Sequence, residues 1–118
     1  DFEKKAGYSR AVVQDNWCFV SGTTGYDYTT MFMPPDIQAQ TQNCLETIRQ
    51  TLENAGFALS DIVRANYYVT NQADAELAFP VLGRAFASIR PAATMIICEL
   101  IRPEMLIEIE VTALKSKT

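Results

Sequence analysis

The chain has 118 residues, of which 48% are apolar and 20% charged, and its formal net charge is −4. This balance is typical of one globular domain, residues 1–118, and excludes a disordered chain. Because no cluster of Lys or Arg is present to neutralise phosphates, nucleic acid is not an expected partner. No apolar run approaches the ~20 residues that span a bilayer, so no membrane insertion is expected.

The sequence contains no histidine and three cysteines. A Ser-His or Cys-His nucleophile pair and a His-ligated zinc site are therefore excluded, and three scattered thiols do not easily form a metal site. The odd number and wide spacing of Cys18, Cys44 and Cys98 indicate buried free thiols in a reducing, cytoplasmic compartment. Any catalysis must then use carboxylates, tyrosines, arginines, hydroxyls or backbone groups.

The first half of the chain predicts a hairpin, a loop and a helix. Residues 10–14 and 17–21 are rich in β-formers and flank Asp15-Asn16, a two-residue hairpin signal. Residues 22–35, GTTGYDYTTMFMPP, predict a long loop with much apolar surface. Asp36 then predicts the N-cap of an amphipathic helix over about 37–55, with Gly56 as its C-terminal stop.

The second half predicts a strand, a helix and two further strands. Asp74 is the expected cap of the second helix, whose inner face would include Leu77. Pro80 conflicts with that helix, because a proline past the first turn removes a backbone hydrogen bond, so the helix would start near Pro80 or kink there. The strands are expected at 62–70, 94–100 and 106–114.

The order β-β-α-β-α-β-β predicts an α+β fold with two helices packed on one face of a mixed sheet. No helix remains to cover the other face. The apolar side chains of Trp17, Met31, Phe32 and Met33 are available there, so we expect a homo-oligomer to bury it.

Several blocks of the sequence resemble one family over nearly the whole chain and in the same order: GYSRAVV, FVSGTTG, DIQAQTQNCLETIRQTLENAG, DIVRANYYVTNQAD, RPAAT and LIEIEVTA. This is the RidA family of small imine and enamine deaminases, also called YjgF or L-PSP. The resemblance implies a chorismate-mutase-like fold and a homotrimer with small-molecule clefts between subunits. It also implies hydrolysis of reactive enamines or imines to keto acids and ammonia, with no cofactor and no metal.

The resemblance assigns candidate site residues one by one. The family's cleft tyrosine resembles Tyr8, and the serine of its SG motif resembles Ser21. The glutamate of its final EIE block resembles Glu108, the candidate to order a water or move a proton. The family's carboxylate-binding arginine lies in a Pro-Ala-Arg-Ser/Thr pattern, which here reads PAAT, so Ala93 replaces it. Met95 shares a strand face with Ala93, which predicts an apolar wall in the cleft.

Two other arginines are candidates to replace the missing group. Arg10 stands in YSRA, where the family usually has Gln, and Arg90 lies within roughly 10 Å of Ala93 along the strand. Each is also readily interpreted as a surface charge, and Ser21 as a turn residue. Cys98 falls on the strand face opposite Met95, which favours a core thiol over a nucleophile.

Three functions remain open on this sequence. An imine or enamine deaminase is favoured by Glu108, Ser21 and Tyr8. A non-catalytic small-ligand binder is favoured by the loss of the family arginine at position 93. An endoribonuclease or translation inhibitor ranks third, because the chain is acidic and has no basic patch.

Overall fold

The computed structural model describes residues 2–116 as a five-stranded mixed sheet with helices packed against it. The sheet order is β1-β2-β5-β3-β4, in which β3 and β4 are parallel and the other neighbours antiparallel. The architecture confirms the expected α+β class. In chain order the elements are α1 (Phe2–Ala6), β1 (Ala11–Gln14), β2 (Trp17–Thr24), α2 (Ile37–Asn54), a 3-10 turn (Leu59–Asp61), β3 (Ile62–Val69), α3 (Gln72–Ala85), β4 (Ala92–Ile97) and β5 (Ile107–Leu114).

Helix α2 begins and ends where its residues dictate. The Asp36 carboxylate accepts a hydrogen bond from the Ala39 N–H at 3.0 Å, which satisfies one of the free donors of the first turn. Gly56 follows the helix with a φ of +86°, a left-handed conformation that glycine adopts without steric cost. The predicted cap and stop are therefore confirmed.

Helix α3 differs from the sequence-based expectation at its start. Asn71, not Asp74, is the N-cap, and its side chain accepts a hydrogen bond from the Asp74 N–H at 2.8 Å. The helix runs continuously through Pro80, which is exposed, so the carbonyl that proline leaves unpaired is on the solvent side. Leu77, expected on the inner face, is 51% exposed because that face is built by smaller residues such as Ala75 and Ala78.

The core lies between the helices and one face of the sheet. Helix α2 contacts β2, β5 and α3, and α3 contacts β3. Along β5 the residues alternate strictly between buried and half-buried positions, as a strand with one covered face must. The fully or nearly fully buried side chains of this layer include Cys44, Ile48, Leu52, Val69, Ile107, Ile109 and Ala113.

The other face of the sheet is uncovered in the single chain. Trp17 and Phe19 stack there with ring centroids 6.1 Å apart, and they are 39% and 46% exposed. Val12 pairs with Phe19 across the hairpin and is also exposed. The expected uncovered apolar face is present.

Two shorter segments also depart from expectation. The N-terminal helix α1 was not predicted, because five residues with no buried side chain give no periodic signal. Strand β4 ends at Ile97, three residues earlier than expected, since residues 98–106 leave the sheet as a loop. None of the helices within residues 2–116 is long and apolar enough to cross a membrane.

Candidate active site

A β-bulge interrupts β2 beside the uncovered sheet face. The β2–β5 register shifts between Val20 and Thr23. The two residues between them, Ser21 and Gly22, stand opposite Glu110 alone. A bulge of this kind bends its strand and often lies next to a functional site.

Arg10 holds the bulge in place. Its guanidinium Nη2 donates to the Ser21 carbonyl at 2.8 Å and to the Gly22 carbonyl at 2.6 Å, while the Ser21 hydroxyl donates to the Ser9 carbonyl at 2.5 Å. A bulge leaves carbonyls without partners in the ladder, and a guanidinium is suited to satisfy two of them. Arg10 is thus a half-buried structural cation rather than a free surface charge.

The bulge makes room for Glu108. A Cβ added at Gly22 would overlap the Glu108 carboxylate, lying 2.9 Å from its Cδ. Glu108 projects from β5 on the face that the helices leave uncovered, as does Glu110 two residues later. The two glutamates share this face because alternate side chains of a strand point to the same side of the sheet.

Glu108 borders a cavity of about 290 Å³, which is large enough for a small metabolite. The bulge and the adjacent strands form one wall, and the loop after β4 forms the other. The lining residues are Gly22, Tyr68, Cys98, Glu99, Leu100, Ile101, Glu108 and Glu110.

The surroundings of Glu108 favour its neutral form. Burial raises the pKa of its carboxyl, and the charge of Glu110 raises this pKa further, while the positive charge of Arg10 partly opposes both. A carboxyl group whose pKa is moved toward neutrality is suited to accept and return a proton. Glu108 is therefore the group in this cavity best prepared for acid–base chemistry.

Glu110 belongs to a hydrogen-bonded cluster with β3. Its Oε1 accepts from the Tyr68 hydroxyl at 2.5 Å and from Asn66 Nδ2 at 3.2 Å. The hydrogen bond to Glu110 raises the pKa of Tyr68 to about 12, so the phenol stays protonated at neutral pH. Tyr68 thereby holds the Glu110 carboxylate in place, whereas it makes no such hydrogen bond to Glu108.

Some of the predicted site residues lie at the cavity, and others lie away from it. Glu108 lines the cavity, and Arg10 and Ser21 support its wall. Ala93 and Met95 pair with Ala65 and Tyr67, whose buried side chains face the helices, so they lie on the opposite face of the sheet from Glu108.

Two further candidates lie apart from the cavity in a single chain. Tyr8 packs edge-on against Phe2 with ring centroids 6.0 Å apart and is 40% exposed. Arg90 is exposed in the segment before β4, where its backbone N–H donates to the Phe86 carbonyl at 2.9 Å.

Cys98 corrects one expectation. Cys18 and Cys44 are buried as predicted, but Cys98 is half-buried and lines the cavity, because the sheet face opposite Met95 is the uncovered face and not the core. Other cavity residues were missed as well, among them Gly22, Tyr68 and the loop residues 99–101. Gly22 carried a signal as the glycine of the SG motif, and Tyr68 lies at alternating spacing on a strand that predicts one polar face.

The acidic lining does not form a metal site. No three His, Cys, Asp or Glu side chains between residues 2 and 116 are grouped closely enough to hold a metal ion. The arrangement can position a small ligand against a proton-accepting carboxylate, with apolar contacts from Leu100 and Ile101.

The fold and the cavity define a small α+β domain with a carboxyl group of raised pKa, that of Glu108, on the open face of its sheet. The family model described as endoribonuclease L-PSP matches residues 1–115. The chain therefore belongs to the L-PSP family, also known as the YjgF/YER057c/UK114 or RidA family.

Solved structures of similar proteins share this fold. Rv2704 of Mycobacterium tuberculosis, a YjgF/YER057c/UK114 family member, is 39% identical over 97% of this chain and 92% of its own, with a TM-score of 0.88. RidA of an Antarctic Psychrobacter is 28% identical over 92% and 88% of the two chains, with a TM-score of 0.86. TdcF of E. coli, solved with bound serine, shares the fold at 23% identity over 92% and 88%, with a TM-score of 0.86.

Proposed function

We propose that the protein is a cofactor-independent hydrolase that deaminates reactive imines or enamines. The observation that carries this proposal is the placement of Glu108, a carboxyl with a raised pKa that borders a ligand-sized cavity. The chain belongs to the L-PSP family. The sequence blocks in which it resembles the imine and enamine deaminases of this family include the one that contains Glu108. Cytoplasmic location is part of the same proposal, because the three cysteines are free thiols.

The proposed mechanism uses one carboxylate twice. Glu108 accepts a proton from a water molecule as the water oxygen bonds to the imine carbon, and the C=N π electrons move to nitrogen. The protonated Glu108 then returns the proton to the nitrogen, which gives a carbinolamine. Glu108 next takes the hydroxyl proton of this carbinolamine as the carbonyl forms and the C–N bond breaks, and it delivers that second proton to the departing nitrogen, which leaves as ammonia. General acid–base catalysis of this kind contributes typically 10²–10⁴-fold in rate.

We also propose that the working form is a homotrimer with sites between subunits. In one chain Glu108 and the strand face carrying Ala93 and Met95 lie on opposite sides of the sheet, so a single cleft can use both only if a second copy supplies β4. The exposed Trp17 and Phe19, and Ile96 at 47% exposure on edge strand β4, provide apolar surface for such contacts.

A second candidate is a non-catalytic small-ligand binder on the same scaffold. Ala93 favours it, because the position where the family carries its carboxylate-binding arginine has no polar side chain. The endoribonuclease activity in the family's description is the least supported, since Glu99, Glu108 and Glu110 would repel phosphates from this cavity.

The test is ammonia release from freshly generated imines, with and without the protein. We expect acceleration that Glu108→Gln reduces by at least 100-fold. Glu76→Gln, which removes an exposed carboxylate on α3, should leave the rate unchanged. If the folded protein accelerates the hydrolysis of no imine, the hydrolase proposal is wrong and the non-catalytic binder remains. Sedimentation velocity of the wild type and of Phe19→Asp tests the trimer.

A further inference from the structure

The charged side chains around the cavity indicate which charge its ligand carries, a property that the family resemblance does not give. Three lining side chains are carboxylates, those of Glu99, Glu108 and Glu110. No Lys or Arg lines this cavity within the part of the chain that the structure describes. An anionic group entering here meets like charges, whereas a cationic nitrogen meets opposite ones.

The guanidinium of Arg10, which supports the cavity wall, is already hydrogen-bonded within the chain. Arg10 directs Nη2 to the Ser21 and Gly22 carbonyls, and its Nε is shielded from solvent, so it supports the wall rather than offering a free fork to a ligand carboxylate. A bidentate arginine is the usual anchor for a carboxylate. The strand position where the resemblance places that anchor is Ala93.

The remaining lining is apolar. Leu100 and the 75% exposed Ile101 face Glu108 from the loop after β4, and Cys98 adds a further soft, weakly polar surface. Alkyl groups of a small ligand would contact these side chains while its nitrogen lies toward the glutamates. The cavity therefore has Glu108 and Glu110 on its sheet wall and the apolar Leu100 and Ile101 on its loop wall, which also carries Glu99.

From this arrangement we propose that the site selects iminium or amine ligands that carry no carboxylate, with the cationic nitrogen between Glu108 and Glu110 and the alkyl group on Leu100 and Ile101. This inference rests on the proposed function for the reaction but concerns the charge class of the ligand. For an alkyl iminium the balance is R–CH=NH₂⁺ plus water to R–CHO plus NH₄⁺. One C–O bond forms, the C–N bond breaks, and nothing is oxidised or reduced.

The matched probes are propan-1-imine and 2-iminobutyrate, which differ only by the carboxylate on the imine carbon. They are generated by an amine oxidase from propylamine and by an amino-acid oxidase from 2-aminobutyrate, with oxidase in excess so that hydrolysis limits ammonia release. Propylammonium and 2-aminobutyrate serve as stable ligands for calorimetric binding. We expect the ligand without a carboxylate to be preferred at least ten-fold in both assays.

The outcomes separate this inference from the proposed function. Preference for 2-iminobutyrate with a rate that depends on Glu108 would overturn the charge class and keep the hydrolase. Preferential binding of propylammonium with no hydrolysis of either imine would support the charge class and overturn the hydrolase. If propylammonium binds no better than 2-aminobutyrate, the inference is wrong.

Three variants sharpen the test. Glu99→Gln removes one cavity carboxylate from an exposed position and should weaken propylammonium binding about two- to five-fold, the range expected for one solvent-exposed charge pair. Glu76→Gln makes the same charge change on α3 and should leave binding unchanged. In the proposed homotrimer, where a second copy supplies β4 to the cleft, Ala93→Arg should shift preference toward 2-iminobutyrate. A shift in the opposite direction would contradict the proposal.

Discussion

Gly22 and Glu108 form a matched pair across β2 and β5, because the space that a side chain at Gly22 would occupy holds the Glu108 carboxylate. The bulge in β2 sets the path of the backbone at this point, and Arg10 holds the two bulge carbonyls. The position of the proposed catalytic group is therefore determined by a residue with no side chain.

Gly22→Ala should reduce activity much more than stability. The added Cβ meets the far end of a flexible side chain, so Glu108 can rotate away at modest cost, but its carboxylate is then displaced. Displacement by about 1 Å can cost on the order of 100-fold in rate. Steady-state kinetics and thermal unfolding measure the two effects.

Gly83→Ala is the matched control for that substitution. Gly83 lies in α3 with nothing within 4 Å of an added Cβ, so alanine should stabilise the helix by about 0.5–1 kcal/mol and leave activity unchanged. Equal loss of activity in both variants would contradict the pairing of Gly22 with Glu108.

Glu108→Gln should change the pH dependence of stability. Because the folded-state pKa of Glu108 is raised above its unfolded value, its contribution to stability is fully present below the unfolded pKa and is lost as the pH rises through the folded pKa. The neutral glutamine avoids that loss. We therefore expect the variant to be more stable than the wild type at pH 7, with the difference disappearing near pH 4. Urea unfolding at both pH values measures it, and a variant less stable at pH 7 would refute the raised pKa.

Arg10→Met should move the acid limb of the pH–rate profile upward. The positive charge of Arg10 lowers the pKa of Glu108, so its removal raises that pKa, and the active carboxylate form is then lost at a higher pH. The variant should also lose about 2 kcal/mol of stability with its hydrogen bonds to Ser21 and Gly22. Arg10→Lys keeps the charge and should leave the acid limb closer to that of the wild type. An identical limb in the Met and Lys variants would argue against the electrostatic role.

Gln40→Leu should destabilise the fold without changing any residue that lines the cavity. The buried Gln40 amide donates to the Pro34 carbonyl at 2.8 Å and to the Glu104 carbonyl at 3.0 Å, and its Oε1 accepts from the Leu106 N–H at 2.9 Å. Leucine leaves these backbone groups without partners, at about 1–3 kcal/mol for each buried one. We expect a loss of about 3 kcal/mol or more by urea unfolding, whereas Gln42→Leu at an exposed position of α2 should change stability by less than about 0.5 kcal/mol.

The elements that the sequence predicted well are those whose local signals agree. Asp36 and Gly56 bracket α2 because the cap and the left-handed turn are properties of single residues. The start of α3 was wrong because Asn71 and Asp74 are both good caps, and only the hydrogen bond between them in the folded chain decides which one serves.

The candidate site was predicted in part for a different reason. Glu108 followed from family resemblance, and its shared face with Glu110 from alternation. The roles of Gly22 and Arg10 depend on the bulge, and a register shift between β2 and β5 joins residues more than 80 positions apart, which no local pattern encodes. Cys98 lies on the face opposite Met95, as alternation predicted, but it was misplaced because that face is the uncovered one and the Met95 face is the core.

The position of β5 also governs the order in which the chain can fold. It follows every other strand in the sequence, yet it pairs with β2 on one side and β3 on the other. Until β5 is in place, the β1–β2 hairpin and the β3–β4 pair have no strand to join them, and contacts of such long range form slowly. Glu108 lies on β5 and is positioned only when that strand pairs. A partly folded intermediate therefore has neither a continuous sheet nor the carboxyl group that the proposed hydrolysis requires.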